Sequence, residues 1–153
     1  MSFKITVNTV GFDSMIDGMA SDLEVAARPA AQAAAQVLYD EVKRNVAKLK
    51  KHAGNLDRSI YQAFSQDNSA QGRATYHVSW NGSKAPHGHL VEYGHLQRYE
   101  ISFDPKTKRF TTHKDRPLAQ PKLVAARPFV RPAMSKSGAA IEAAKAVLFK
   151  RLD

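Results

Sequence analysis

Between Arg28 and Lys51 the sequence writes one long helix, and that segment limits the fold more than any other. Ala30, Ala31, Ala33, Ala34 and Ala35 have the best intrinsic helix propensity. Leu38, Val42, Val46 and Leu49 then recur at i, i+4, i+8 and i+11, which places them on one face. Pro29 suits a first-turn position, where the amide that proline lacks would be unpaired anyway. Lys43, Arg44, Lys48, Lys50 and Lys51 load the C-terminal half, where the helix dipole favours cations, and Gly54 supplies the break. An alanine face has little bulk, so another backbone can approach it closely, either from the same molecule or from a neighbouring subunit. The rest of the chain has to pack on this helix.

The other segments read as short strands and helices. Phe3, Ile5 and Val7 alternate with Lys4, Thr6 and Asn8, a half-buried strand stopped by Gly11. Phe12, Met15, Ile16 and Met19 fall at helical spacing, giving a short helix that ends near Ser21. Asn55 can cap a single helical turn before a strand that starts at about Ser59. Ala74, Tyr76, Val78 and Trp80 alternate with Thr75, His77 and Ser79, a half-buried strand ended by the Asn81-Gly82 turn. The polar turn between these two strands makes them an antiparallel hairpin. Pro86 to Tyr93 reads as a short helix with Leu90, Val91 and Tyr93 as its apolar members. Tyr99, Ile101 and Phe103 alternate with Glu100, Ser102 and Asp104; the turn Asp104 to Lys108 reverses the chain, and Phe110-Thr111-Thr112 returns. Pro117 to Pro128 looks extended. From Phe129 the pattern returns to helix, with Ala133, Met134, Ile141, Ala144, Val147, Leu148 and Leu152 as its apolar side and a weak point at Ser137-Gly138. The expected fold class is α+β: long N-terminal and C-terminal helices packed on a small, mostly antiparallel sheet, with an extended β-hairpin arm. The expected organisation is one domain over residues 1–153, with the arm at 96–122, since 153 residues suit a single core.

Composition removes several kinds of chemistry. The absence of cysteine excludes a disulfide framework, a thiol nucleophile and a Cys-ligated metal. The N-terminus lacks the apolar core of a signal peptide, and no apolar run approaches the ~20 residues that span a bilayer, so no membrane partner is expected. Charge is unevenly spread. Residues 1–27 carry Lys4 against Asp13, Asp17, Asp22 and Glu24, a net of −3, whereas the remainder carries 22 basic and 10 acidic residues, a net of +12. A body this basic attracts nucleic acid, anionic surfaces or acidic protein.

Candidate sites are few. His87, His89, Glu92 and His95, with His113 further on, are the one metal-like cluster, but their spacing does not match His-Glu-x-x-His, and Gly88 and Gly94 interrupt a helix there. Glu92 as a lone general base lacks a second carboxylate nearby in sequence. There is no Gly-x-Ser-x-Gly elbow and no Walker-type loop, so no catalytic residue and no cofactor are expected. Basic and aromatic residues interleave at Arg98-Tyr99, Arg109-Phe110 and Arg127-Phe129-Arg131, a pattern that can stack single-stranded nucleic acid, although no nucleic-acid-binding motif is present. The most specific stretch is Arg127-Pro128-Phe129-Val130-Arg131-Pro132-Ala133. Its two prolines stiffen the backbone around an aromatic, and Arg127 and Arg131 flank it with planar donors suited to carboxylates. This frame reads as a protein–protein hot spot or as the lead-in to the last helix with Phe129 as core, and the two are compatible.

Three stretches carry a resemblance: Gly54-Asn55-Leu56-Asp57-Arg58-Ser59-Ile60, His89-Leu90-Val91-Glu92-Tyr93-Gly94, and Arg127 to Ala133. In this order they resemble the Gly-x-Leu-x-x-Ser-Ile, apolar-Glu-aromatic-Gly and Arg-Pro-Phe-x-Arg-Pro-Ala elements of the tailed-bacteriophage neck and tail-completion proteins, a minor tail component family. The chain departs from that pattern at His95, where the family has a small hydroxyl residue, at Lys51-His52-Ala53, where it often has a proline, and in the long gap from Gly94 to Arg127. The resemblance implies a structural virion part, not an enzyme. It would assemble in the host bacterial cytoplasm as a homo-oligomeric ring at the head–tail joint, beside head-connector and tail-terminator or tail-tube proteins, and would give packaged DNA a continuous passage. On this reading Arg127, Phe129 and Arg131 anchor a contact, Glu92 and Tyr93 shape the adjoining loop with Glu92 a partner for an arginine, and the hairpin bearing Tyr99, Ile101, Phe103 and Phe110 extends onto a neighbouring subunit. The alternatives are a basic nucleic-acid-binding module and, further off, a small metal-dependent hydrolase.

Overall fold

The computed structural model describes residues 2–8, 20–49, 53–70, 72–107 and 109–150. The expected helix over Phe12 to Met19 and the terminal position of Leu152 lie outside them. Within them the fold is mixed helix and sheet, and its centre is β3 (Arg73–Trp80). This strand is flanked by β1 (Phe3–Asn8) and β2 (Ile60–Phe64) in an antiparallel sheet of order β1-β3-β2. Phe3 pairs with Val78 and Asn8 with Arg73 on one side; Ile60 pairs with Trp80 and Phe64 with Tyr76 on the other. The alternation Ala74, Tyr76, Val78 faces the core as its period of two requires. The opposite face is not open as a half-buried strand would have it, because Thr75 and Ser79 are buried as well. The 65–69 turn folds over that face: the Thr75 hydroxyl donates to the Asn68 carbonyl at 2.8 Å and the Thr75 amide donates to Ser69 Oγ at 2.9 Å.

The long helix α1 (Ala20–Ala47) lies on the sheet. It begins well before Pro29, which sits inside the helix and not in its first turn. A proline there removes one main-chain hydrogen bond and crowds the preceding turn. Packing carries the helix through it, since Ala26, Ala27, Ala30 and Ala31 on either side are all buried. The stripe continues through Ala34, Ala35, Leu38, Val42 and Val46. The alanine patch is used within the molecule. Helix α4 (Ser137–Phe149) packs along α1, and its own buried positions are Ala140 and Ala144, so small residues on both helices permit close approach.

Helix α2 (Ala53–Ser59) takes in Asn55 as an interior residue and delivers Leu56 to the core; Lys43 Nζ bridges to Asp57 at 2.8 Å. The short helix α3 is Gly88–Tyr93. Strands β4 (His95–Asp104) and β5 (Arg109–Val124) form a separate two-stranded antiparallel ribbon. It is regular from Glu100↔His113 to Asp104↔Arg109. The register then jumps to Tyr99↔Pro117, which leaves Lys114, Asp115 and Arg116 as a bulge. Pro117 and Pro121 are admissible because both strands of such a ribbon are edges. After β5 the chain reaches a 3₁₀ turn (Arg131–Lys136) that runs directly into α4, with the joint at Ser137. Two residues assigned to the apolar side of the last helix are corrected by the structure: Met134 and Ile141 are half exposed, because α1 covers the Ala140/Ala144 side instead.

Candidate functional site

The site begins with a glutamate that burial ought to forbid. Gly88 and Gly94 bracket α3, and each serves close packing. A side chain at Gly88 would run into the Trp80 indole. At Gly94, φ is +73°, and a Cβ would sit 2.7 Å from the Val124 carbonyl oxygen and 2.8 Å from the Ala126 amide. The helix is thereby pressed inward at both ends. Its buried members are Gly88 and Glu92, not the apolar set read from the sequence; Tyr93 is exposed.

Glu92 is fully buried, and every hydrogen bond its carboxylate can accept comes from one segment. Phe129 N–H donates to Oε2 at 2.7 Å and Val130 N–H to the same oxygen at 3.0 Å. Arg131 N–H and Arg131 Nε–H both donate to Oε1 at 3.1 Å. Arg131 Nη2–H also reaches the Glu92 carbonyl at 2.7 Å, and the guanidinium lies over the Tyr93 ring, 5.2 Å from its centre. Pro128 and Pro132 frame this run, so the amides between them are three consecutive donors. They open the 3₁₀ turn and the helix behind it, where unpaired amides and the helix dipole favour an anion. Glu92 is the cap, supplied from a different element of the fold.

Burial pushes the Glu92 carboxyl up, as it does any charge withdrawn from water. The amides of Val130, Phe129 and Arg131 and the Arg131 side chain together outweigh that, and hold it below the usual carboxylate range. Two further bonds fix the segment: Arg127 N–H to the Val91 carbonyl at 2.8 Å, and Asn45 Nδ2 of α1 to the Phe129 carbonyl at 3.2 Å. The Phe129 ring has no solvent exposure and packs edge-on to Trp80, with centroids 5.5 Å apart.

These positions decide what each residue can do. Of the two readings of Phe129, contact anchor and core, the structure shows the core: its ring is fully buried and out of a partner's reach. It can influence an interface only by positioning its neighbours. Arg127 is exposed, and Arg131 and Tyr93 are about half exposed as a stacked pair, so these are the members of the motif a partner can meet. Glu92 is spent within the chain and is not available as a base. His87, His89 and His95 do not gather around it, and no group of three or more histidine and acidic side chains converges on one point among the described residues. Reasoning from sequence missed Asn45, Trp80 and Gly88. The only signal was indirect: a polar residue between Val42 and Val46 on an apolar face, and a glycine opening a helix.

The ribbon leaves the core beside this clamp, with His95 paired to Val124 directly after Gly94. Phe103 and Phe110 pair across its end with centroids 4.8 Å apart and are 51% and 67% exposed; Ile101 and Tyr99 follow at 43% and 37%. The turn is set by Asp104, whose carboxylate accepts from the Thr107 hydroxyl at 2.7 Å and the Lys106 amide at 2.9 Å. Those two bonds, the Thr107 hydroxyl foremost, lower its pKa.

Residues 12–94, more than half of the chain, match the family model described as "Bacteriophage HK97-gp10, putative tail-component". No curated protein and no solved structure matches the chain. No helix among the described residues is long and apolar enough to cross a membrane.

Proposed function

Because this chain belongs to the HK97-gp10-like family of bacteriophage tail components, we propose that it is a structural subunit of the head–tail joint, closing the neck as a ring of identical copies. The observation that carries this reading is the use made of Glu92. Its four acceptor positions are all filled by the chain's own donors. The most elaborate polar site among the described residues therefore builds shape and does no acid–base chemistry, so the role proposed is assembly without catalysis. The shape it builds is a stiff base from which a basic ribbon with an apolar face reaches outward.

In this role each subunit joins its neighbours through two different surfaces, which a closed ring requires. The ribbon is the arm, and the exposed Arg127, Arg131 and Tyr93 face a neighbouring copy or a head-connector, tail-terminator or tail-tube protein. The ring surrounds the DNA path in the finished particle. The test is a phage deleted for this gene. Filled heads and complete tails that stay separate, and that join when purified protein is added, support the reading. Normal joined particles without the protein overturn it.

Exposed Phe103 and Phe110 in a basic ribbon also suit stacking on single-stranded nucleic acid. That second reading requires binding that weakens steeply with salt; no DNA or RNA binding at low ionic strength removes it.

A further inference from the structure

Among the described residues, the ribbon and the body of the molecule each leave an apolar surface uncovered, and the two differ in form. Tyr99, Ile101 and Phe103 of β4 and Phe110 of β5 make one face of a two-stranded ribbon. Such a ribbon is marginal in water by itself. From the exposures above, this face amounts to roughly 400 Å², the size of the largest apolar patch on a typical monomer, which is often functional. The second surface is a cleft of about 590 Å³ between β1, α1 and α4. Consecutive residues Ser2 to Val7 all line it, so it follows the outer edge of β1, which is the edge of the β1-β3-β2 sheet. The half-exposed Met134 and Ile141 line its other side.

We infer that the apolar face of the β4–β5 ribbon of one copy seats in the β1/α4 cleft of a second copy. Area selects this occupant. Two ribbons stacked face to face would bury only about half of the ~800 Å² per partner that a stable interface needs. A cleft encloses the ribbon on more than one side and adds its flanks to the contact. Main-chain groups along the outer edge of β1 can extend the sheet onto the incoming strand. Ribbon and cleft are distinct surfaces of one chain, so the contact is head to tail and propagates until it closes. The inference rests on the ring reading for its biological setting, but not for its geometry.

The chain has no cysteine, which makes a clean test available. Phe103→Cys and Ile141→Cys are made as separate proteins, mixed and mildly oxidised, both as purified protein at high concentration and in assembled particles. Ser83→Cys, on the exposed turn after β3, replaces Ile141→Cys as the control. The expected result is a disulfide between Phe103→Cys and Ile141→Cys, and none with the control. Phe103→Asp combined with Phe110→Asp should leave the circular dichroism of the fold unchanged and reduce the particle mass to that of a monomer. Rings that form without the disulfide, or a link only between two Phe103→Cys chains, overturn the cleft as the seat while the ring reading stands. A specific disulfide in a protein that never joins heads to tails upholds the seat and overturns the neck reading.

Discussion

A single carboxylate, Glu92, joins α3 to the segment before α4, and its loss should be felt at once. In Glu92→Gln an amide Nε2–H₂ faces backbone N–H donors and Arg131 keeps no anion. Breaking a buried, hydrogen-bonded charge in this way costs about 3–5 kcal/mol, to be read by urea unfolding at neutral pH. The acid limb separates the charge from the shape. Outside the fold this carboxyl takes its proton near 4.5, whereas in the fold it does so only at lower pH. The unfolded chain therefore binds more protons between those two values. The carboxylate's contribution is complete above about pH 4.5 and drains away as pH falls through the folded value. The wild type should lose stability over that interval; Glu92→Gln should give a flatter profile there. Phe129 is the apolar counterpart. With its ring fully buried against Trp80, Phe129→Ala should cost about 3–5 kcal/mol. Since a domain's total stability is roughly 5–15 kcal/mol, loss of joining activity in that variant would report unfolding as much as a lost contact. Calorimetry on the purified variant distinguishes the two.

At the level of elements, α1 holds its helix across a proline because both of its flanks are buried. Pro29→Ala restores a main-chain donor and removes the crowding, so it should stabilise the protein by about 2 kcal/mol. An unchanged melting temperature would mean that the helix gains nothing from continuity at this point. Elsewhere the elements are matched by size. Alanines on α1 and α4 let the helices approach, and glycines at 88 and 94 let α3 drop close enough for Glu92 to reach the amides of 129–131. The ribbon is held locally at its two ends, by the close packing at Gly94 at the root and the Asp104 turn at the tip.

For the whole molecule, stability and the proposed assembly reside in different places. The core lies in α1, the β1-β3-β2 sheet, α4 and the Phe129 segment, and the ribbon tip contributes nothing to it. Deleting residues 104–108 should therefore leave the unfolding midpoint within about 0.5 kcal/mol of wild type, as a change away from the core does, while abolishing higher-order assembly by mass photometry.

Sequence alone determined what short-range geometry controls. The 3.6-residue spacing of Leu38, Val42 and Val46, the alternation through β1 and β3, the hairpin turn at Asp104 and the stiff frame of Pro128 and Pro132 are each fixed by neighbours a few residues away. That an arginine would meet Glu92 came from the family resemblance, not from any periodicity around Glu92. Only the tertiary structure decided the rest. The amides that Glu92 caps lie 37 to 39 residues along the chain, and no periodicity encodes a contact at that distance. Phe129 turned inward, while Met134 and Ile141 were left outward, because α1 had one face to give and the small Ala140/Ala144 side of α4 fitted it best. Spacing reports which residues share a face; which face is covered depends on what else the folded chain brings there.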